Sequence, residues 1–592
     1  MNDAEILNIL DLCRGEPSPE SWRLICEGLS AIPTRALTPA RLDEIEGALD
    51  RHWPDELRAT MCGMFWDEAL MRGRRDVRHR VVRSLRYDRV FIGRFGGIMM
   101  RSPDHIPGAI ARGQAPQTWE HLSRVNLGGQ TLSADDLAAM AAAPMPALRH
   151  LTIGAATAEG VRALSDGPWM ARLEGLSFAA LEPGDEAVEA LCRAPLGRLK
   201  ALELGKTQIG QRGAAAMAGC EGLGALERLA IRSASIDAPT ARALSQGLGR
   251  LSSLRVDECG IDGATLEALL AGALRPAELL LARNPLGLQG AEVLARLGDG
   301  IKALSLGRCG LDDSAMGALA GSRSLSDLET LEIDKPYGDG PENGLTGEGA
   351  CALLASPHLT RLRRLTLHGR LGRLDGPLLS NLSALALEGD LAGVDWGRLG
   401  AELGSQLKSL RLGGAGLSVE ETGALLDGLL VSVMEELNLS GSRLDRAGVE
   451  RLGDARRVER LWLSGCGLKA ASLEPLLSCG AAPERLHLDD NDLGDEGIER
   501  LAASPLLAQV RNLGLSRVGI TDRGALALAR SPWLARVDRV LLSGNKIGPE
   551  GARALAARVM FRGGWMSVDL GDNPIGEAGK AALAEAPPRC CP

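Results

Sequence analysis

The sequence predicts an α/β solenoid in which parallel strands line a concave face, helices form the convex face, and a helical cap covers the N-terminal end. Three observations carry this expectation. The template L-x-x-L-x-L-x-x-(N/C)-x-L recurs about every 26 residues through most of the 592-residue chain. Each copy is followed by a Gly-containing turn and a run rich in Ala and Leu. Aromatic residues make up only 3% of the chain, so the core has to be built from Leu and Ala. A periodic chain of this kind is not limited to the roughly 100–200 residues of an ordinary domain, because each repeat touches only its neighbours.

Taking the first template position as the marker, repeats start at Leu122, Leu148, Leu173, Leu199, Leu226, Leu251, Pro276, Ile301, Leu328, Leu362, Leu382, Leu407, Met434, Val458, Pro483, Val510, Val537 and Trp565. In L-x-L the two leucines point to one side of a short strand and the residue between them to the other. The segment after the glycine, such as GARALAARV at 551–559, has helical spacing and strong helix formers. Its apolar stripe is expected to pack on the inner leucines, and stacking then closes a core that no single repeat can close. Helices are wider than strands, so a stack with strands inside and helices outside must curve into a horseshoe.

Eight residues after their starts, four repeats carry Asn284, Asn491, Asn545 and Asn573, and three carry Cys259, Cys309 and Cys466. Here the chain leaves the strand and its freed backbone groups need partners inside the turn. An Asn amide supplies a donor and an acceptor, and a thiol fits the same small space as a weak donor. These cysteines therefore have a structural role, and the absence of any CxxC gives no support to a metal or redox site.

With these residues in view, the pattern resembles the ribonuclease-inhibitor-like class of leucine-rich repeats, in which Asn and Cys alternate at the turn and each unit carries a full helix. The strongest matches are LDDNDLGDEGIERLA, LSGNKIGPEGARALA and LGDNPIGEAGKAALA in the later part of the chain. The repeats starting at Leu148, Leu173 and Leu362 depart from it, with Ala156, Leu181 and Arg370 at the turn position. The resemblance implies a protein-interaction scaffold with a long curved surface. It transfers no contact residue, because binding positions in this class are the variable ones.

Residues 1–118 do not follow the template. AEILNILDLC and RLDEIEGALDRHW have helical periodicity, with Pro17, Pro19, Pro33, Pro39, Pro54, Pro103 and Pro107 as punctuation. This region is expected to be a helical cap over the first repeat or a docking region, and 119–592 the repeat array of about eighteen units. The array is irregular near 334–400: DKPYGDGPENGLTG at 334–347 stretches one unit, and the next reaches its following strand without a clear helix. Tyr337, one of two tyrosines, makes that loop a secondary contact candidate.

Composition excludes several functions. A formal net charge of −9 without a block of like charges argues against a nucleic-acid partner, which needs a basic stripe. The start MNDAEILNIL lacks the features of a secretory signal, and no stretch approaches the roughly 18 apolar residues of a membrane span. The chain is therefore expected to be cytoplasmic, with no membrane partner, and its preference for Arg over Lys points to a GC-rich bacterial source. GKT at 205–207 lacks the upstream glycine of a phosphate-binding loop, and Thr207 falls on the turn position. The lone glycine cluster GRFGGIMM at 93–100 is a weak signal of the same kind. HExxH and GxSxG are absent, and Cys590, Cys591 and Pro592 read as a frayed tail without a lipidation signal. No enzyme, cofactor or metal is indicated.

What remains is surface. Outward strand positions lie two, four and six residues after each start, and many are small, as at Ala201, Ser253, Ala303, Ser305, Gly307, Ser409 and Gly413. Arg460, Trp462, Arg485, His487 and Asp489 come from two adjacent strands, and a Trp beside arginines is the composition of a protein-binding hot spot. A second group, Arg228, Arg232, Arg255, Asp257 and Glu278, mixes signs. The leading expectation is a non-enzymatic scaffold that binds a protein partner on the concave face. Two rivals are a GTPase-activating accessory that uses Arg232, Arg283 or Arg308 at the strand ends, and a sensor or effector whose N-terminal region transmits binding.

Overall fold

The computed structural model describes residues 122–592 except 336–339, 404, 430–433, 453–457, 479–482, 562–566, 586–589 and 592. Before residue 122 it describes 2–14, 39–53, 84–86 and isolated positions between 17 and 29. The chain forms two compact units, Met1–Glu278 and Leu279–Pro592. It is a leucine-rich repeat solenoid: each of the eighteen starts read from the sequence is followed two residues later by the first residue of a strand.

In the first unit the strands from Arg124–Thr131 to Ser253–Asp257 pair in sequence order and all in parallel. Equivalent template positions stand opposite each other, so Leu151, Leu176, Leu202, Leu229 and Leu254 form one row and are all at most 2% exposed. A seventh strand, Ser84–Arg86, pairs with Arg124–Asn126 inside the region that the template does not cover. The helices Asn2–Arg14 and Pro39–His52 bury Ile6, Ile9, Leu10, Leu42, Ile45 and Leu49. The Trp53 indole donates to the Cys13 carbonyl at 3.0 Å, and its ring centroid lies 5.9 Å from that of Trp22. The reading of 93–100 falls outside the described residues.

In the second unit the strands from Ala303–Ser305 to Ser567–Asp569 pair in sequence order and all in parallel. Leu437, Leu461, Leu486, Leu513, Val540 and Val568 form its inner row, each at most 1% exposed. Burying a side chain of this size contributes about 1.5–3 kcal/mol. Cys590–Cys591 is not a loose tail but a short strand parallel to Val568–Asp569. The last template strand would otherwise leave a row of backbone groups unpaired, and the tail satisfies part of it.

The turn residues do what their chemistry suggests, and they also link repeats. Asn491 donates to Leu488 O in its own repeat and Leu463 O in the preceding one, both at 2.8 Å, while its Oδ1 accepts from the Leu468 N–H at 2.9 Å. The thiols of Cys259, Cys309 and Cys466 reach back to Ile231 O, Leu281 O and Leu439 O at 3.2–3.3 Å. Burial pushes the Cys259 and Cys466 thiols up to about 12, which keeps them protonated as donors. Thr207 is fully buried, with its hydroxyl on Gly205 O at 2.8 Å, so GKT is a turn and not a phosphate site.

Where Ala156, Leu181 and Arg370 stand at the turn position, Ala156 and Leu181 are buried but offer no amide or thiol to the freed backbone groups. Those repeats have longer strands, His150–Thr157, Gly175–Glu182 and Arg364–Arg370, although each begins where the template places it. After Arg364–Arg370 the helix is reduced to a short 3-10 turn, Pro377–Asn381.

The stretched unit is repaired by Asn343. Its Oδ1 accepts from the Cys309 and Leu311 N–H groups at 2.9 and 3.0 Å, and its Nδ2 donates to Leu306 O at 3.1 Å. Asn343 therefore occupies the turn position that the template assigns to residue 336, and residues 334–340 are an insertion ahead of it. Excising 334–340 restores the template, with Leu328, Leu331, Ile333, Asn343 and Leu345 in register. The shortened chain is expected to unfold within about 1 kcal/mol of the full chain, since closure cost varies slowly with loop length. Urea denaturation followed by circular dichroism checks this, and a loss of several kcal/mol would show that the insertion braces the array.

A second link runs along the helix starts. Asp185, Asp495 and Asp522, on one helix, each accept N–H groups from the start of the next: Gly210 and Gly213, Thr521 and Gly524, Gly548 and Gly551. The next helix must then come close. A Cβ on Gly213, Gly524 or Gly551 would lie 2.6–2.7 Å from the aspartate oxygen, which is why the helices keep glycine there. Among the described residues no helix is long and apolar enough to cross a membrane.

Candidate partner-binding surface

Outward positions on the strand face are held by a framework that already has its leucines, so polar and aromatic side chains there are not needed for the core. In the second unit they assemble into two neighbouring clusters, one around Asp489 and one around Glu436. Register pairs Arg460 with Arg485 and Trp462 with His487. The indole and imidazole stack, with centroids 6.2 Å apart and planes at 19°. His487 Nδ1, at the end of its strand, lies 3.2 Å from Asp489 Oδ2 in the turn that follows.

Asp489 anchors this arrangement. Its Oδ1 accepts from the Ser516 N–H at 2.7 Å and its Oδ2 from the Ser464 hydroxyl at 3.2 Å. Burial pulls its carboxyl up, but the His487 and Ser516 hydrogen bonds, the nearby imidazole and Ser464 outweigh this and hold it below the usual Asp range. A carboxyl depressed by folding gives stability that is complete above its unfolded value of about 3.9 and disappears as pH falls through the folded value. Asp489→Asn is therefore expected to flatten the acid limb of a stability profile below about pH 4. Urea midpoints measured across that range check it, and an unchanged acid slope would contradict the assignment.

Gly514 makes room for the pair. A Cβ there would lie 2.4 Å from Asp489 Oδ2 and 2.5 Å from His487 Nδ1. On the other flank, Glu436 is only 6% exposed and takes Arg411 Nε at 2.9 Å, Arg460 Nη2 at 3.1 Å and the Ser409 hydroxyl at 3.1 Å. Arg485 is exposed and forms no ion pair or side-chain hydrogen bond among the described residues.

Of the five residues singled out from sequence, Arg460, Trp462, Arg485 and His487 are brought together on neighbouring strands, and Asp489 joins them from the turn after the second strand. Tyr337 lies outside the described residues. Glu436, Gly514, Ser464 and Ser516 were missed. Glu436 could have been found from its outward position one repeat before Arg460, whereas the others are unremarkable small residues until the register is known.

The first unit is different in character. Arg232 pairs with Glu203, which also takes the Ser177 hydroxyl at 3.1 Å. Arg255 lies 3.3 Å from Asp257, while Arg228 and Glu278 are exposed. Of the strand-end arginines weighed as GTPase-directed, Arg232 is therefore engaged by a carboxylate. Arg308 donates to Gly340 O at 3.3 Å and lies 3.8 Å from Glu342. Arg283 and Arg308 both have left-handed backbone, with φ of 60° and 52°. Among the described residues no group of three or more His, Cys, Asp or Glu is placed to hold a metal ion.

Comparison with known proteins agrees with the repeat assignment. A leucine rich repeat family model matches residues 484–502 and 541–556. The chain is 33% identical over 261 residues to the ribonuclease inhibitor of Sus scrofa, covering 39% of this chain and 55% of that protein. It is 31% identical over 229 residues to the ribonuclease inhibitor of Mus musculus, covering 35% and 49%. The chain thus spans about half the length of the curated relatives it matches. Among solved structures, the yeast Rad7 and Elc1 complex aligns over 81% of this chain and 86% of that one, at 13% identity and a TM-score of 0.27. The TLR13–ssRNA13 complex aligns over 77% and 74%, at 15% identity and a TM-score of 0.40.

Proposed function

We propose that this leucine-rich repeat chain, similar to ribonuclease inhibitors over part of their length, is a non-enzymatic scaffold that binds a protein partner on its strand-lined, concave face. Arg460, Trp462, Arg485, His487 and Asp489 are the contacts. The observation that carries the reading is the Trp462–His487 stack, held by Asp489 on a face whose core is complete without it. An aromatic fixed in place before binding loses little side-chain entropy on contact, and Trp and Arg are the residues that dominate protein-binding hot spots. The insertion at 334–347, with Tyr337, is a second contact region, and residues 1–118 serve as cap or docking region.

Capture from the native host's lysate on the purified chain, repeated with Trp462→Ala/Arg485→Glu, tests this. The expected result is a specific protein that is retained by the native sequence and lost with the double variant. The same protein retained by both would move the contact elsewhere. Acceleration of nucleotide hydrolysis by a captured GTPase would replace the scaffold reading with that of an activator.

A further inference from the structure

We infer that the surface around Trp462 receives an acidic, carboxylate-bearing segment of its protein partner, gripped by Arg485 and Arg539. This rests on the strand face being the partner surface. Arg460, Arg485, Asn512 and Arg539 are register neighbours, one per strand. The first has its charge met by Glu436. Arg485 and Arg539 are exposed, and neither forms an ion pair or a side-chain hydrogen bond among the described residues.

Two outward acids near them by register, Asp489 and Asp569, are already committed. Asp489 is held by His487, Ser464 and the Ser516 N–H, and Asp569 Oδ1 accepts from the Gly571 N–H at 3.0 Å. Three other outward arginines, Arg232, Arg255 and Arg411, each face a carboxylate of this chain. Unmatched positive charge is thus placed at Arg485 and Arg539 in a chain whose formal net charge is −9.

The geometry suits a short acidic segment. Two arginines two strands apart have Cα atoms about 10 Å from each other, and each planar fork can take a carboxylate with two parallel hydrogen bonds. Asn512 stands between them, and Gly514, Ser516 and Ser543 keep the neighbouring surface low, with Trp462 on one side and Leu541 on the other. A nucleic acid would need a longer basic stripe for its uniform charge, and Arg517, the next arginine outward along the strand end, is already paired with Asp490.

The test uses the full chain and a fluorescein-labelled oligo-glutamate peptide, with oligo-glutamine of equal length and single-stranded oligoribonucleotide as comparisons. Binding is read by fluorescence anisotropy for the native sequence and for Arg485→Gln/Arg539→Gln, whose melting is expected to match the native chain because both side chains are exposed and form no ion pair among the described residues. The expected result is binding of oligo-glutamate and not oligo-glutamine, weakened tenfold or more by the double variant. Absent binding of oligo-glutamate, or equal binding by both proteins, overturns the inference. Tighter binding of the oligoribonucleotide with the same arginine dependence also overturns it, in favour of a polyanion site. A captured partner that is lost with Trp462→Ala but unaffected by Arg485→Gln/Arg539→Gln overturns the acidic-segment inference alone. A partner insensitive to both sets of changes overturns the surface itself.

Discussion

Asn545→Ala is expected to destabilise the second unit by about 3–5 kcal/mol, since each buried backbone group left without a partner costs about 1–3 kcal/mol and relaxation recovers part of it. Asn545 is 5% exposed. Its Oδ1 accepts from the Val518, Gly519 and Ile520 N–H groups at 3.0–3.1 Å, and its Nδ2 donates to Leu515 O and Leu542 O at 2.8 Å. One side chain thus serves five backbone groups, four of them in the preceding repeat. Because a solenoid is coupled through its nearest-neighbour interfaces, the loss is expected to be local, with the repeats from Val537 onward releasing first. Urea unfolding should change from a single transition to one with an early C-terminal phase, and hydrogen exchange should place that phase after residue 510. A shift below about 1 kcal/mol would mean that these bonds are replaced by water or by the rest of the turn.

The second large effect concerns binding. Trp462→Ala is expected to weaken the captured partner by about 2–4 kcal/mol, roughly 30-fold to 1000-fold, which is the range of a central aromatic anchor. Stability should change little. Trp462 is only half-buried, and the core under it is made by Leu461 and Leu463, both fully buried. Titration calorimetry gives the affinity and a thermal melt gives the control. Equal affinity with an unchanged melt would show that the stack is surface dressing on the array.

Much of the architecture was legible because one period governs it. Strand positions follow from L-x-L, and every start from Leu122 to Trp565 is followed by a strand at the expected offset. The partners of the turn residues were only half legible. An Asn at the turn predicts that backbone groups are satisfied, but the bond from Asn491 to Leu463 O in the preceding repeat requires knowing how repeats stack. Asn343 was hidden because template spacing points to residue 336, and chemistry places the amide seven residues later. The strand Ser84–Arg86 was hidden because its surroundings lack the template leucines. The aspartates that bridge helix starts, such as Asp522 to Gly548 and Gly551, left a trace in the recurring helix glycines that only the close approach explains.

The candidate surface was legible where alternation alone decides, as for Arg460 and Trp462 on one strand and Arg485 and His487 on the next. It was not legible where pairing across repeats decides. Arg411, Glu436 and Arg460 lie on three successive strands and meet only through the register. The same register distinguishes Arg460, which is neutralised, from Arg485 and Arg539, which are open; the sequence presents all three alike.

The central claim is that the partner lies on the strand face of the later repeats. Hydrogen–deuterium exchange of the chain with and without its captured partner measures this directly. The expected result is protection confined to strand and turn peptides covering 460–464, 485–490 and 512–516, with the helices Gly494–Ala503 and Asp522–Arg530 unchanged. Protection of those helices with unchanged exchange in the strands and turns would contradict it and place the partner on the opposite face.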